Sequence, residues 1–467
     1  MTAHRSAAER ISPASSGSTS TRSAGTATGA SRRPARSANL HDEASTGIHL
    51  PSWRAHRKYV RTRKQRRRLL RSQRRTFAGR HSVAVGSLVV FLLLAPVWVS
   101  LGGALTNPSL GTSAPARVAE WSREHGAGGL VTWIENLYYS HQAPQIGGRP
   151  KNNAIPNVTT GTQPSVAAVS LRVRRGAMAV PAALVPFPRS PLPGEGKWVP
   201  AGRLVDGMAA VYTTFMRPDA IHTTVVDGVA WIDTKLVSAT LYSGSFIPGG
   251  GPYKYNTPLP LSAEAGLVAA FNGGFRLGDS QGGYFTQGDM VRALVPGGAS
   301  VVIYKNGTAT VGAWGSEVKM GPNVVAVRQN LSLLVDNGRP AAGLATNERS
   351  QWGTVLGNSI FVSRSGLGVT KDGALVYVGG PDLDAVDLAR LLVRAGAVRG
   401  MELDINSEWV NFATFDPATP HGLATQNNAL DLLPSTDMAG AYRYFVSYWE
   451  RDFFTLSARS SPLGHTG

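Results

Sequence analysis

A chain of 467 residues is long enough for one large domain, or two ordinary ones, with tails. Its net charge of +18 is uneven: residues 1–81 carry 19 Lys+Arg against 3 Asp+Glu, whereas the rest carries 28 against 26. The near-neutral remainder lacks the basic surface of a nucleic-acid groove, so no nucleic-acid partner is expected, and the absence of cysteine excludes disulfides, thiol catalysis and Cys-ligated zinc.

Residues 1–50 are mostly Ser, Thr, Ala, Gly and Arg, too poor in large apolar side chains to offset ordering entropy, and disorder is expected there. Residues 54–80 hold thirteen Lys/Arg and no acid. The next twenty, 82–101, are free of charge and long enough to span a bilayer as one helix of about 30 Å. The positive-inside rule puts the basic tail (1–81) in the cytoplasm and everything after the helix outside, a single-pass membrane protein whose main domain is extracellular. Arg74-Arg75-Thr76-Phe77 is of twin-arginine type, and a cleavable signal could end near Gly103-Ala104. The long preamble and the full-length apolar run favour an uncleaved anchor.

Residues 102–195 read as a linker and helical stalk. Leu130, Trp133, Ile134, Leu137 and Tyr138 have amphipathic helical spacing, with docking on the main domain favoured over the membrane surface. From 196 to 455, short apolar runs alternate with turns, and 456–467 reads as a tail. Asn306-Gly307, Asn337-Gly338 and Asp372-Gly373 mark hairpins, the first as a type I′ turn. Leu388, Leu391, Leu392 and Ala395 predict a helix that begins near Asp384 and Asp387 and is capped at Gly396, before a strand from Val398 to Ile405. The fold class is α+β: a mostly antiparallel or mixed β-sheet with packed helices, preceded by one transmembrane helix.

On that last strand, alternation puts Met401, Leu403 and Ile405 on one face and Glu402, Asp404 and Asn406 on the other, with Glu408 at its end. Carboxylates two residues apart lie about 6–7 Å from each other, within the range used at glycosidic bonds. The same three oxygen-bearing side chains could bind Ca²⁺; no other cofactor is expected. A buried strand ending in Asn272-Gly273-Gly274 lets backbone approach a ligand. Arg328 and Arg364, isolated at strand edges, are candidates for holding phosphate, and His222 and His421 for acid–base work.

Taken together, residues from roughly 200 to 435 resemble the phosphodiester glycosidase domain, the family of the uncovering enzyme. The resemblance rests on Ala270-Phe271-Asn272-Gly273-Gly274-Phe275, on Arg364-Ser365-Gly366-Leu367-Gly368-Val369 with Lys371-Asp372-Gly373, on the helix from Asp384 to Gly396, and on Gly400-Met401-Glu402-Leu403-Asp404. The pattern also resembles membrane-anchored actinobacterial members of that group. Where the family has a triple glycine and a serine pair after its aspartate, this chain has Ile405-Asn406-Ser407-Glu408-Trp409. The resemblance implies hydrolysis of sugar-1-phosphodiesters in cell-envelope glycans or phosphoglycans. Asp404 would be the central carboxylate and Glu402 or Glu408 its partner; Arg364 and Arg328 would hold phosphate, and Asn272, Gly273, Gly274 and Asn406 would line the substrate site. A non-catalytic glycan-binding domain, or a glycosidase acting on unphosphorylated wall glycan, are the alternatives.

Overall fold

The computed structural model describes residues 62–72, 79, 81–107, 110–111, 113–131, 133–134, 144–156, 177–245, 247–249, 251–346, 351–352, 361–419, 421–434, 440–446 and 451–459. The chain divides into two units, Met1–Val89 and Val90–Gly467. In the first, residues 62–72 are helical and exposed; the tail expected to be disordered, 1–50, lies outside the described residues.

The apolar run expected as one helix is broken into α1 (Ser82–Leu93) and α2 (Ala95–Thr106). Pro96 explains the break: it has no N–H to give to a preceding carbonyl, and its ring crowds the turn before it, so it is tolerated only in the first turn of a new helix. Among the described residues no single helix is long and apolar enough to cross a membrane; the pair passes that test only together.

In the second unit α2 is followed by α3 (Ala114–Ser122), whose N-cap Ser113 accepts a hydrogen bond from the Ala116 amide. Trp121 Nε1 donates to Ser100 Oγ at 2.9 Å, and His125 Nε2 lies 3.2 Å from the same oxygen, so α3 and the turn after it run back beside the middle of α2. Leu130, Trp133 and Ile134, expected to dock on the main domain, are exposed; Leu137 and Tyr138 lie outside the described residues.

Among the described residues eighteen strands follow: β1 (Val199–Val205), β2 (Met208–Met216), β3 (Asp227–Ile232), β4 (Val237–Tyr242), β5 (Leu267–Asn272), β6 (Tyr284–Thr286), β7 (Asp289–Arg292), β8 (Ala299–Tyr304) and β9 (Ala309–Ala313). The series continues with β10 (Val324–Gln329), β11 (Leu333–Asp336), β12 (Arg339–Pro340), β13 (Val362–Thr370), β14 (Leu375–Leu383), β15 (Ala397–Glu402), β16 (Phe412–Phe415), β17 (Ala429–Asp431) and β18 (Phe453–Ala458). They form an eight-stranded sheet, β1-β2-β3-β14-β13-β15-β11-β12, and two five-stranded sheets, β7-β6-β10-β8-β9 and β17-β16-β5-β18-β4. Among the described residues every ladder is antiparallel, as short connections require where the paired strands are consecutive. The α+β class with mostly antiparallel sheets therefore holds.

All three expected hairpins are present. Asn337 and Gly338 have φ of +50° and +70°, the type I′ signature. At Asn306-Gly307 only Gly307 has positive φ, so this turn is not type I′; the Asn306 side chain instead accepts from the Thr308 amide. The main core lies between the sheets and includes Val268, Phe271, Leu367, Met401 and Phe454. A second core lies under α5 (Ala385–Arg394; the short helix α4 is Leu261–Glu264), which packs Leu388, Leu391 and Leu392 on the eight-stranded sheet. Asp384 caps it through the Asp387 amide at 2.6 Å, and Gly396 at φ +96° ends it. The helix sits close because glycines floor it: a Cβ on Gly400 would come 3.1 Å from Leu392. Met178, Leu184 and Leu192 are also buried in these cores, and β18 runs to Ala458, so the packed body extends beyond 196–455 at both ends.

Candidate active site

The ends of three strands meet at one cleft. β5 ends in Asn272 and runs into Gly273 and Gly274; Asp404 follows β15; Arg451 and Asp452 lead into β18. Trp409, Arg443 and Tyr444 complete the walls with these residues and Phe453. The space between them is about 240 Å³, open solvent at the mouth included.

Asp404 is the centre of the cleft's chemistry. β15 ends at Glu402 because the Asp404 side chain turns back on the chain, with its Oδ1 accepting from the amides of Ile405 at 2.9 Å and Asn406 at 3.1 Å. Only 3% of Asp404 is exposed, and burial pushes its carboxyl up to about 7, outweighing the opposing pull of Arg451 and the two amides. Its Oδ2 lies 4.0 Å from Arg451 Nη1.

The Arg451 guanidinium lies over the Trp409 ring, its Cζ 4.3 Å from the ring centroid. Its Nε and Nη1 are buried and make no hydrogen bond, an arrangement that leaves donors for an anion. Arg443 lines the same cleft, with Nε donating to the Gly440 carbonyl at 3.0 Å and Nη1 to the Glu408 carbonyl at 3.2 Å; burial lowers its guanidinium to about 10.

Asn272 is in the cleft wall but its side chain is fully engaged. Its Oδ1 accepts from Tyr377 Oη at 2.9 Å and the Asn411 amide at 3.1 Å, and its Nδ2 donates to the Gly273 carbonyl and Ser365 Oγ. Ser365 Oγ in turn accepts from the Asp404 amide at 3.3 Å. Asn272 thus holds the Asp404 segment in place rather than offering its amide to a sugar. Glycine at 273 answers a packing need: a Cβ there would lie 2.5 Å from Asp452 Oδ2.

Several expected site residues lie elsewhere. Glu402 and Asp404 do not share a strand face, because the pairing with β13 bulges between them: the Leu403 amide donates to the Ser365 carbonyl, while the Ser365 amide donates to the Asp404 carbonyl, two residues opposite one. Glu402 stands directly opposite Gly366, on the face covered by α5, and forms a buried ion pair with Arg364. Arg364 also donates to the Leu383 carbonyl at 2.9 Å. Arg328 is completely buried, with Nε donating to Asp452 Oδ2 at 2.7 Å and its other donors to Asp452 Oδ1 and the Gln329 and Phe275 carbonyls. Neither arginine can take a phosphate without giving up these partners. The Asn406 side chain accepts the Glu408 amide at 2.9 Å, and neither residue lines the cleft. His222 pairs with Asp219 at 2.7 Å. The Ca²⁺ set of Glu402, Asp404 and Asn406 is not assembled, and among the described residues no group of three or more acids or histidines is arranged to hold a metal.

Arg451, Asp452, Arg443 and Trp409 had no signal in the sequence. Arg451-Asp452 is an ordinary charged pair before an apolar strand, and only the pairing of β18 with β5 brings it beside Gly273. No family model matches the chain, and no curated protein matches it. Among solved structures it is similar to a hypothetical protein from Synechocystis (11% identity, TM-score 0.33, covering 56% of this chain and 64% of that one). It is also similar to a candidate exported protein from Burkholderia pseudomallei (12% identity, TM-score 0.26, covering 50% and 74%). At these scores neither likeness carries an argument.

Proposed function

We propose that the chain is a membrane-anchored hydrolase of sugar-1-phosphodiesters in cell-envelope glycans, with its main domain outside the membrane and its centre at Asp404 and Arg451. The observation that carries the reading is the pairing, in one narrow cleft, of a carboxyl that titrates near neutrality with a buried arginine whose Nε and Nη1 make no hydrogen bond, Nη1 standing 4.0 Å from that carboxyl. A phosphodiester supplies acceptors for those donors.

In the proposed reaction the bond between the anomeric carbon and the bridging oxygen breaks. Water adds its oxygen to that carbon, and its proton passes to Asp404 and then to the released phosphate monoester. The phosphate leaves as a stable anion, so strong acid assistance is unnecessary, and Arg451 with Arg443 holds its charge. A carboxyl at about 7 suits the base that takes the proton from water. Asp452 is the second carboxylate of the cleft, its charge balanced by Arg328, in place of Glu402 or Glu408. This step draws on no metal, and turnover is expected to survive EDTA.

The test is sugar release by the detergent-solubilised full chain from a panel of sugar-1-phosphodiesters and matched phosphate-free glycosides. Release from the phosphodiesters, lost by at least 100-fold in Asp404→Asn, supports the reading. Equal release from phosphate-free substrates, or an active Asp404→Asn, removes it. Binding of the phosphodiester without turnover would instead mark a non-catalytic glycan-binding domain.

A further inference from the structure

The cleft is tied to the apolar N-terminal helices by side chains that the proposed reaction does not use. Arg276 is two residues beyond Gly274, at most ~7 Å of chain, and its Nη2 lies 2.5 Å from Glu120 Oε2 on α3. Its Nη1 is 3.6 Å from Glu124. Glu120 is buried, and the next residue, Trp121, donates to Ser100 in the middle of α2. His125 approaches the same serine. The brace therefore meets α2 at its midpoint, not beyond its outer end, and the packed body is held at the level of an apolar helix.

Exposed apolar side chains flank that brace along the chain. Trp98 and Val99 on α2 are exposed, as are Leu130, Trp133 and Ile134 after α3. Tryptophan among aliphatic side chains on and after an uncharged helix has the character of a bilayer interface. Polar loops on a long flexible tether would let a domain range through the envelope; a partly buried ion pair to α3 and two hydrogen bonds from there to α2 hold it beside that helix.

We infer that the cleft takes substrates held in the membrane: a lipid-borne sugar-1-phosphodiester, whose headgroup lies at the bilayer surface. This rests on the reaction proposed above and on insertion of α1 and α2 in a bilayer. After hydrolysis the phosphate monoester stays on the lipid and the free sugar leaves.

The experiment reconstitutes the full chain in phosphatidylcholine–phosphatidylglycerol vesicles and offers one sugar-1-phosphate head on two aglycones, a long alkyl chain in the same bilayer and a methyl group in solution. The expected result is at least tenfold faster turnover of the lipid-borne head at equal bulk concentration. Arg276→Gln, and separately Glu120→Gln, should remove that advantage while turnover of the methyl ester, which also reports folding, is kept; Arg276→Lys should restore part of it. Equal turnover of both aglycones, or an advantage untouched by both variants, overturns the inference and leaves the reaction standing. Turnover of neither removes the reaction and the inference together.

Discussion

Asp404 carries its proton into the neutral range because burial disfavours the charged form more than Arg451 and two backbone amides favour it. Acting as the base, it gives a kcat/KM that rises with pH through about 7; a profile flat from pH 5 to 8 would remove Asp404 from the reaction. The same carboxyl affects stability. Its folded value lies above the ordinary 3.8, so the folded chain binds more protons between about 4 and about 7, and stability falls as pH rises through that window. The penalty is complete above about 7 and amounts to at most ~4 kcal/mol. Asp404→Asn, which can still accept the two amides, is therefore expected to be more stable than wild type in urea unfolding at pH 8 and equal to it near pH 4. Arg451 makes the complementary contribution. Arg451→Met should raise KM for a phosphodiester about 10–100-fold through loss of hydrogen bonds worth ~1.5–3 kcal/mol, and Arg451→Lys, with charge but no planar fork, should fall between the two.

Buried ion pairs tie the strand ends together. Arg328 joins β10 to Asp452, and Arg364 joins β13 to Glu402. Arg328→Met leaves Asp452 charged and buried, and is expected to cost ~3–5 kcal/mol in urea unfolding. Adding Asp452→Leu should recover most of that stability but no activity. Glu402→Gln should keep turnover within about twofold, since its side chain lies under α5; a 100-fold loss would return Glu402 to the reaction. These pairs also show what the sequence could reveal. Helix α5 was legible because its apolar spacing, Asp384 and Gly396 are local signals, and the hairpins were legible from their Asn-Gly and Asp-Gly pairs. Asp404 and the Asn272-Gly273-Gly274 segment were legible as chemistry without a visible reason to meet. The partners of Arg328 and Arg364 were not legible, since each lies across a sheet and an isolated basic residue reads the same whether it faces a phosphate or a buried carboxylate. Strand alternation misled at Glu402 and Asp404 because Leu403 and Asp404 together stand opposite Ser365, an extra residue that shifts the faces.

Across the whole molecule, antiparallel ladders bring residues 272–274, 404 and 451–452 to one end of the fold, although nearly 180 positions separate the first from the last. Within the second unit, α3 returns alongside α2 and is bonded to its middle. Which bond is cut is decided by running the reaction of the full chain in ¹⁸O-labelled water and locating the label by ³¹P NMR and mass spectrometry. Attack at the anomeric carbon places ¹⁸O in the released sugar and leaves the phosphate monoester unlabelled, which is the outcome expected. Label in the phosphate would mean that the phosphorus–oxygen bond is cut, and would contradict a glycosidase centred on Asp404 and Arg451.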